Sequence, residues 1–158
     1  MSEVYRSAAS ILVLRSSTDA PGTYDILLLH KPRKNDCWQL PQGGVEKDET
    51  VQQAAIRELK EEASLTGSTI LSESKCIYQY DFPESFRRFR PDNVKGQRIC
   101  FVLASVPPDA RVHVDGKEVD GFVWVSADDL GRYVKRREYA KLIRELYEEA
   151  VIEVLEKR

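Results

Sequence analysis

The chain lacks any long hydrophobic run. Its apolar stretches, such as Ile11 to Leu14 and Ile26 to Leu29, fall far short of the ~20 residues that span a bilayer. Cysteine is scarce and unpatterned: Cys37, Cys76 and Cys100 are odd in number, far apart and without C-x-x-C spacing. That argues against a disulfide scaffold and a zinc site and marks the thiols as reduced. Only 8 glycines and 7 prolines occur, which excludes collagen-like and low-complexity sequence. The first ten residues carry Glu3 ahead of any apolar run and show no secretory h-region, so the expected compartment is the cytosol. An excess of one charge is missing too. With 24 basic and 26 acidic side chains the net charge is −2, and the chain as a whole offers no footprint for DNA or another polyanion.

What is present is a 158-residue chain, 42% hydrophobic and 32% charged, which predicts one domain over 1–158. At this size folding removes roughly 70% of the chain's surface from water, so neither a disulfide nor a structural metal is needed. Charge is local rather than global. Between Arg87 and Arg98 five basic residues face one acid, Asp92, and Lys135-Arg136-Arg137 form a second basic run. Each is either a solvated loop or a wall that faces phosphate.

Tyr5 to Arg15 and Tyr24 to His30 read as two strands of a hairpin, separated by a turn-rich segment ending Pro21-Gly22. Trp38-Gln39-Leu40 is a short strand stopped by Pro41. Gln42-Gly43-Gly44 then supplies a backbone free to take positive φ and to approach a ligand closely. Thr50 with Gln53 forms a capping box, acids Asp48 and Glu49 precede it, and no Gly or Pro interrupts Thr50 to Ala63. Further strands are expected over Ile70–Phe82, Gln97–Val106, Val112–Val114 and Phe122–Val125, the last followed by Ser126 as cap of a short helix. Tyr139, Leu142, Ile143, Leu146, Ala150 and Val154 recur at helical spacing and define a C-terminal amphipathic helix. The total is an α/β or α+β fold, a mixed β-sheet sandwiched between helices.

Chemistry concentrates in the central helix. Glu58, Glu61 and Glu62 stand at i, i+3 and i+4, so they share one face with neighbouring Cβ atoms ~5–6 Å apart. Such like charges repel, and a hard dication neutralises them. Mg²⁺ binds few protein carboxylates and keeps other positions for water and substrate phosphates, which points to phosphoryl chemistry.

This pattern resembles the Nudix box, G-x5-E-x7-R-E-U-x-E-E-x-G-U with U aliphatic. Gly43, Glu49, Arg57, Glu58, Leu59, Glu61, Glu62 and Leu65 match it over 43–65, and Ser64 stands where the pattern has Gly. Either Ser64 adopts the left-handed conformation at the helix end or the turn shifts to Gly67. The resemblance implies the Nudix fold, Mg²⁺ or Mn²⁺ as cofactor, and a set of roles. Glu58, Glu61 and Glu62 would be metal ligands with the Gly43 carbonyl, and Glu49 and Arg57 a salt bridge that fixes the loop against the helix. Divalent ions there screen polyphosphate, polarise the attacked phosphorus and lower the pKa of water. One helix acid, Glu61 first, or a later acid takes the proton.

The flanks are similar to bacterial RNA pyrophosphohydrolases and bis(5′-nucleosyl)-tetraphosphate hydrolases: Tyr5-Arg6, Trp38 to Gly44, Tyr80 to Pro83, Gly96-Gln97, Glu118 to Ser126, and Lys135-Arg136 with Tyr139. From this likeness Glu118 would be a fourth acid at the metals. Arg6, Arg33, Gln42, Gly44 and Lys135 would bind substrate, with Lys31 or Lys34 as alternatives to Arg33. Where the RNA enzymes carry an aromatic before the basic pair, this chain has Val134, with Tyr133 one residue earlier and Tyr5, Tyr80, Phe82, Phe86 and Phe89 as other platforms. The implied substrate is a triphosphorylated RNA 5′ end or a dinucleoside polyphosphate such as diadenosine tetraphosphate. Other nucleoside-diphosphate-linked or inositol polyphosphate substrates, and a non-catalytic binding module, are the alternatives.

Overall fold

The computed structural model describes residues 4–32, 38–87 and 94–156. Strand β1 (Val4–Ser16) and β2 (Tyr24–His30) form the antiparallel hairpin, with Leu14 opposite Ile26. Two short strands follow, β3 (Trp38–Gln39) and β4 (Gln42–Gly44), then α1 (Val51–Ala63). β5 (Thr69–Asp81) leads through a single turn α2 (Glu84–Arg87) to β6 (Val94–Val106). β7 (Gly121–Val125), a 3₁₀ turn over Ala127–Arg132 and α3 (Arg137–Glu156) complete the chain.

β1 is the spine of a seven-stranded mixed sheet of order β3-β2-β1-β6-β5, in which β4 also pairs with β1 and β7 with β2. Its pairing with β6 is parallel from Tyr5–Gly96 to Arg15–Val106, while the other ladders are antiparallel. The reason β1 reads as an unbroken apolar run is that both its faces are covered. Ala8, Leu12 and Leu14 pack with Phe101 and Leu103 under α3, against Ile143, Leu146 and Ala150. Ala9, Ile11 and Val13 pack with Leu27 and Leu29 under α1, against Ala54, Ala55, Leu59 and Ala63. The expected sheet between helices is thus present, with one helix on each face. Among the described residues no helix is long and apolar enough to cross a membrane.

β5 forms the margin of the sheet. Its ladder with β6 slips between Ile70 and Ser72 and again between Glu73 and Ile77. The expected boundaries shift little elsewhere, but two expectations fail. Val112–Val114 is not a strand: Val112 is buried against the α1 cluster, and the neighbouring His113 N–H donates to the Ala63 carbonyl at the end of α1, so the segment satisfies its backbone on a helix rather than a ladder. Gln42-Gly43-Gly44 is not a turn, and neither glycine has positive φ, because β4 takes regular pairing with Ala8, Ala9 and Ser10. Ser126 precedes the 3₁₀ turn as expected, without a side-chain capping bond.

The α1 capping box is formed as its sequence predicts, with Gln53 N–H donating to Thr50 Oγ1 and Thr50 N–H donating to the Gln53 side chain. At the other end Ser64 itself adopts the left-handed conformation, φ 58° and ψ 25°, and its N–H donates to the Lys60 carbonyl. A side chain there costs roughly 1–2 kcal/mol, and glycine would recover this less ~0.4–1 kcal/mol of unfolded-state entropy. Ser64→Gly should therefore raise the unfolding free energy by about 0.5–1 kcal/mol. A urea titration that shows a lower midpoint for the variant would contradict the assignment of strain to this residue.

Candidate active site

β4 divides the site because consecutive residues of a strand face opposite sides. Gly43 faces α1: a Cβ built on it would stand 2.0 Å from the carboxyl carbon of Glu58, so the acid occupies the space a side chain would need. Gly44 faces the α3 side, where a Cβ would stand 3.1 Å from a guanidinium nitrogen of Arg6. At both glycines the end of a charged side chain approaches the backbone closely, and neither glycine takes an unusual backbone.

Arg57 organises the α1 side. Its Nε and Nη2 donate to the two Glu49 oxygens at 2.8 and 2.9 Å, Nη2 donates to the Gly44 carbonyl at 2.8 Å, and Nη1 donates to Glu58 at 2.7 Å. The expected Glu49–Arg57 bridge is therefore formed and extends to β4 and to the first helix acid. This pairing raises the Arg57 pKa still further, Glu49 first. It also holds the Glu49 carboxyl down to about 2, helped by the Glu46 N–H. Glu58 behaves oppositely. Burial raises its pKa, Arg57 lowers it, and the neighbouring Glu62 and Glu61 raise it again.

Glu62 is buried, and its two oxygens accept the Gln42 N–H at 2.8 Å and the Lys31 ammonium at 2.6 Å. Glu61 is exposed and lies 3.4 Å from Arg57 Nη1. Among the described residues no three His, Cys, Asp or Glu side chains stand ready to hold a metal ion as arranged. The cause is that Glu58 is turned onto Arg57, and Glu62 onto Lys31 and the Gln42 N–H. The donor set nonetheless suits a hard divalent cation. It consists of carboxylate oxygens beside a glycine cradle, and a side-chain ammonium already supplies positive charge at the most buried acid.

A cleft of about 480 Å³ opens on the other side of β4. Arg6, Gln42, Gly43 and Gly44 line it as expected of substrate-binding positions, with Lys31 at its junction with the acids. Tyr78, Tyr80 and Tyr139 form its aromatic wall, in edge contacts at 5.6 Å between Tyr78 and Tyr80 and 6.5 Å between Tyr78 and Tyr139. The Arg136 guanidinium lies 4.9 Å over the Tyr139 ring. Burial raises the Tyr80 pKa, against Arg136.

One expected substrate-binding residue is placed elsewhere. Lys135 does not line the cleft: its ammonium donates to the Arg132 carbonyl at 3.1 Å, closing the 3₁₀ turn, and Arg136 takes the cleft position. Glu118 is exposed in the 107–120 connection, which passes over the α1 face through buried Val112 and Val119. Asp115 shapes its turn by accepting the Lys117 and Val119 N–H groups, and Glu118 does not line the cleft. Arg33, Cys37 and Phe89 lie outside the described residues, as does the Phe86 side chain. Val134 is buried in the core and Tyr133 packs edge-on against Trp38 at 5.1 Å, so neither lines the cleft.

Sequence reasoning treated Lys31 only as a substitute for Arg33, passed over Tyr78, and noted Gln97 in the resemblance without giving it a place in the site. Strand alternation is the signal for the lysine, since Leu27 and Leu29 face α1 and residue 31 continues that face. The same period puts Tyr78 beside Tyr80. Gln97 reaches the cleft only through the parallel register with Arg6, which no local pattern encodes.

Residues 4–149 match the NUDIX domain family. An RNA pyrophosphohydrolase of a Nitratiruptor species is 32% identical over 145 residues, covering 88% of this chain and 91% of that protein. One from Rickettsia typhi is 34% identical over 119 residues, 71% of this chain and 74% of that protein. Among solved structures, a C. elegans Ap4A hydrolase in a binary complex superposes with a TM-score of 0.68 at 26% identity, covering 88% of this chain and 93% of that one.

The Glu49–Arg57 pair sets a pH dependence of stability. Native Glu49 stays ionised to about pH 2 while an unfolded glutamate titrates near 4.5. Its stabilisation is thus complete above the unfolded value and is lost as pH falls from 4.5 toward 2. Glu49→Gln should lower the melting temperature at pH 7, and the gap to the parent should close progressively below pH 4.5. A gap of constant size from pH 7 to pH 2.5 would show that the carboxylate charge is not what matters.

Proposed function

This chain belongs to the NUDIX family and is a pyrophosphohydrolase, and we propose that residues 1–158 form one hydrolase domain acting on a nucleoside polyphosphate, a triphosphorylated RNA 5′ end before a dinucleoside polyphosphate. The observation that carries this reading is the placement of the acids and the aromatic cleft on opposite sides of β4, joined at Gly43, Gly44 and Lys31. A substrate lying across that strand puts its phosphates by the carboxylates and its base by the tyrosines. The names of the curated relatives favour RNA; the buried Val134 and the likeness to the Ap4A hydrolase favour the dinucleotide.

Family members use a divalent cation such as Mg²⁺ or Mn²⁺. Here Glu58, Glu61, Glu62 and the Gly43 carbonyl would hold it, with Glu118 as a fourth acid from the 107–120 connection. When bound, such an ion neutralises polyphosphate charge and makes water more acidic. The protein's own groups do the remainder. Arg6 and Arg136 bind phosphate oxygens through charge-assisted bonds of the kind a guanidinium makes in pairs, and the side-chain amides of Gln42 and Gln97 orient them. Tyr80, the more exposed of the cleft tyrosines, offers a stacking face worth ~1–3 kcal/mol per base. Glu61 is solvent-exposed and only loosely tied to Arg57, which leaves its carboxylate available to take the proton of the attacking water.

A side-by-side kcat/KM measurement with Mg²⁺ should favour triphosphorylated RNA over diadenosine tetraphosphate, with binding that improves for longer 5′ segments and weakens with salt. Preference for the dinucleotide, without dependence on RNA length, would reverse the order of the two substrates. Gly43→Ala drives a methyl group into Glu58, and misplacement of that size is expected to lower kcat on the order of 10²-fold while the circular dichroism spectrum stays native. Parent-like turnover would remove Glu58 from the reacting centre.

A further inference from the structure

Lys31 follows β2 directly and is well shielded for a lysine, with 17% of its side chain exposed. Its partner Glu62 is shielded further, at 7%. A carboxylate so placed, with Glu58 raising the local negative charge, needs a cation close by. Lys31 supplies it at 2.6 Å, and the remaining Glu62 oxygen takes the Gln42 N–H. Yet Lys31 also lines the cleft that holds Arg6 and Arg136. One ammonium is therefore within reach of both the buried acid and the space where phosphates would lie.

A divalent ion at Glu62 and the Lys31 ammonium would be like charges a few ångströms apart in a poorly screened place, and the two cannot share the acid cheaply. The lysine is the mobile partner. Its flexible stem carries a point charge that can be redirected, whereas the Arg57 fork is fixed by Glu49, Gly44 and Glu58 at once. We propose that Lys31 exchanges partners, neutralising Glu62 until a divalent cation does so and then turning its ammonium onto the substrate polyphosphate in the cleft. Cation and phosphate binding then reinforce each other through one side chain, beyond their direct attraction. This rests on the reading of Glu62 as a metal ligand.

The test is a Mn²⁺ titration of the full chain, followed by paramagnetic resonance of the free ion, with and without bis(methylene)triphosphate as a nonhydrolysable probe. In Lys31→Met no ion pair has to be broken, so Mn²⁺ alone should bind on the order of 10-fold tighter than to the parent. The affinity gained on adding the triphosphate should shrink by a similar factor, since the released ammonium is missing. Mn²⁺ affinity in Lys31→Met equal to or weaker than the parent overturns the exchange. Lys31→Gln, neutral and polar, gives the same reading should the methionine variant not fold. Glu62→Gln separates the two levels: unchanged Mn²⁺ affinity there removes Glu62 as a ligand altogether. Weakened affinity there, with parent-like Lys31→Met, removes only the exchange.

Discussion

The structure of the site hangs on one guanidinium. Arg57 reaches from α1 to the segment before it, to the backbone of β4 and to its own neighbour Glu58, so three separate pieces of chain take their positions from a single planar fork. A lysine could not do this, because a point charge lacks the paired geometry that grips both Glu49 oxygens. The consequence is that the loop between β4 and α1, anchored by Val45 on the core at its start, is tied electrostatically at Glu49. Asp48 there even tolerates a positive φ of 66°.

The acids themselves are held in tension. Like charges on one helix face, one of them buried and one with its pKa raised, would be unstable without cations, and the protein provides its own in Arg57 and Lys31. Such a site trades stability for chemistry, as functional sites commonly do. It also explains why the carboxylates do not converge while side-chain cations occupy them.

Much of this was legible in the sequence because it is local. The helix cap and the spacing of Glu58, Glu61 and Glu62 follow from patterns within a few turns of chain, and the bridge from Glu49 to Arg57 is what the resemblance to the Nudix box implies. What was not legible depends on pairing at a distance. That Gly43 and Gly44 sit in a regular strand without positive φ, and meet Glu58 and Arg6 on opposite sides, follows from the register of β4 on β1. Arg136 rather than Lys135 meets the cleft because the 3₁₀ turn before α3 draws the lysine back onto its own carbonyls. Ser64 left two outcomes open from sequence alone, and the hydrogen bond to Lys60 selects the first.

The long strand β5 carries a last consequence. An open sheet margin invites a foreign chain to add itself, and thirteen residues would be an ample template. One slip in its ladder falls at Leu71 and the other between Glu73 and Ile77, around Lys75, so the row of amides and carbonyls is broken in step and charged at mid-length. That margin resists edge-to-edge stacking of copies, which leaves uncovered the strand that carries Tyr78 and Tyr80 into the cleft.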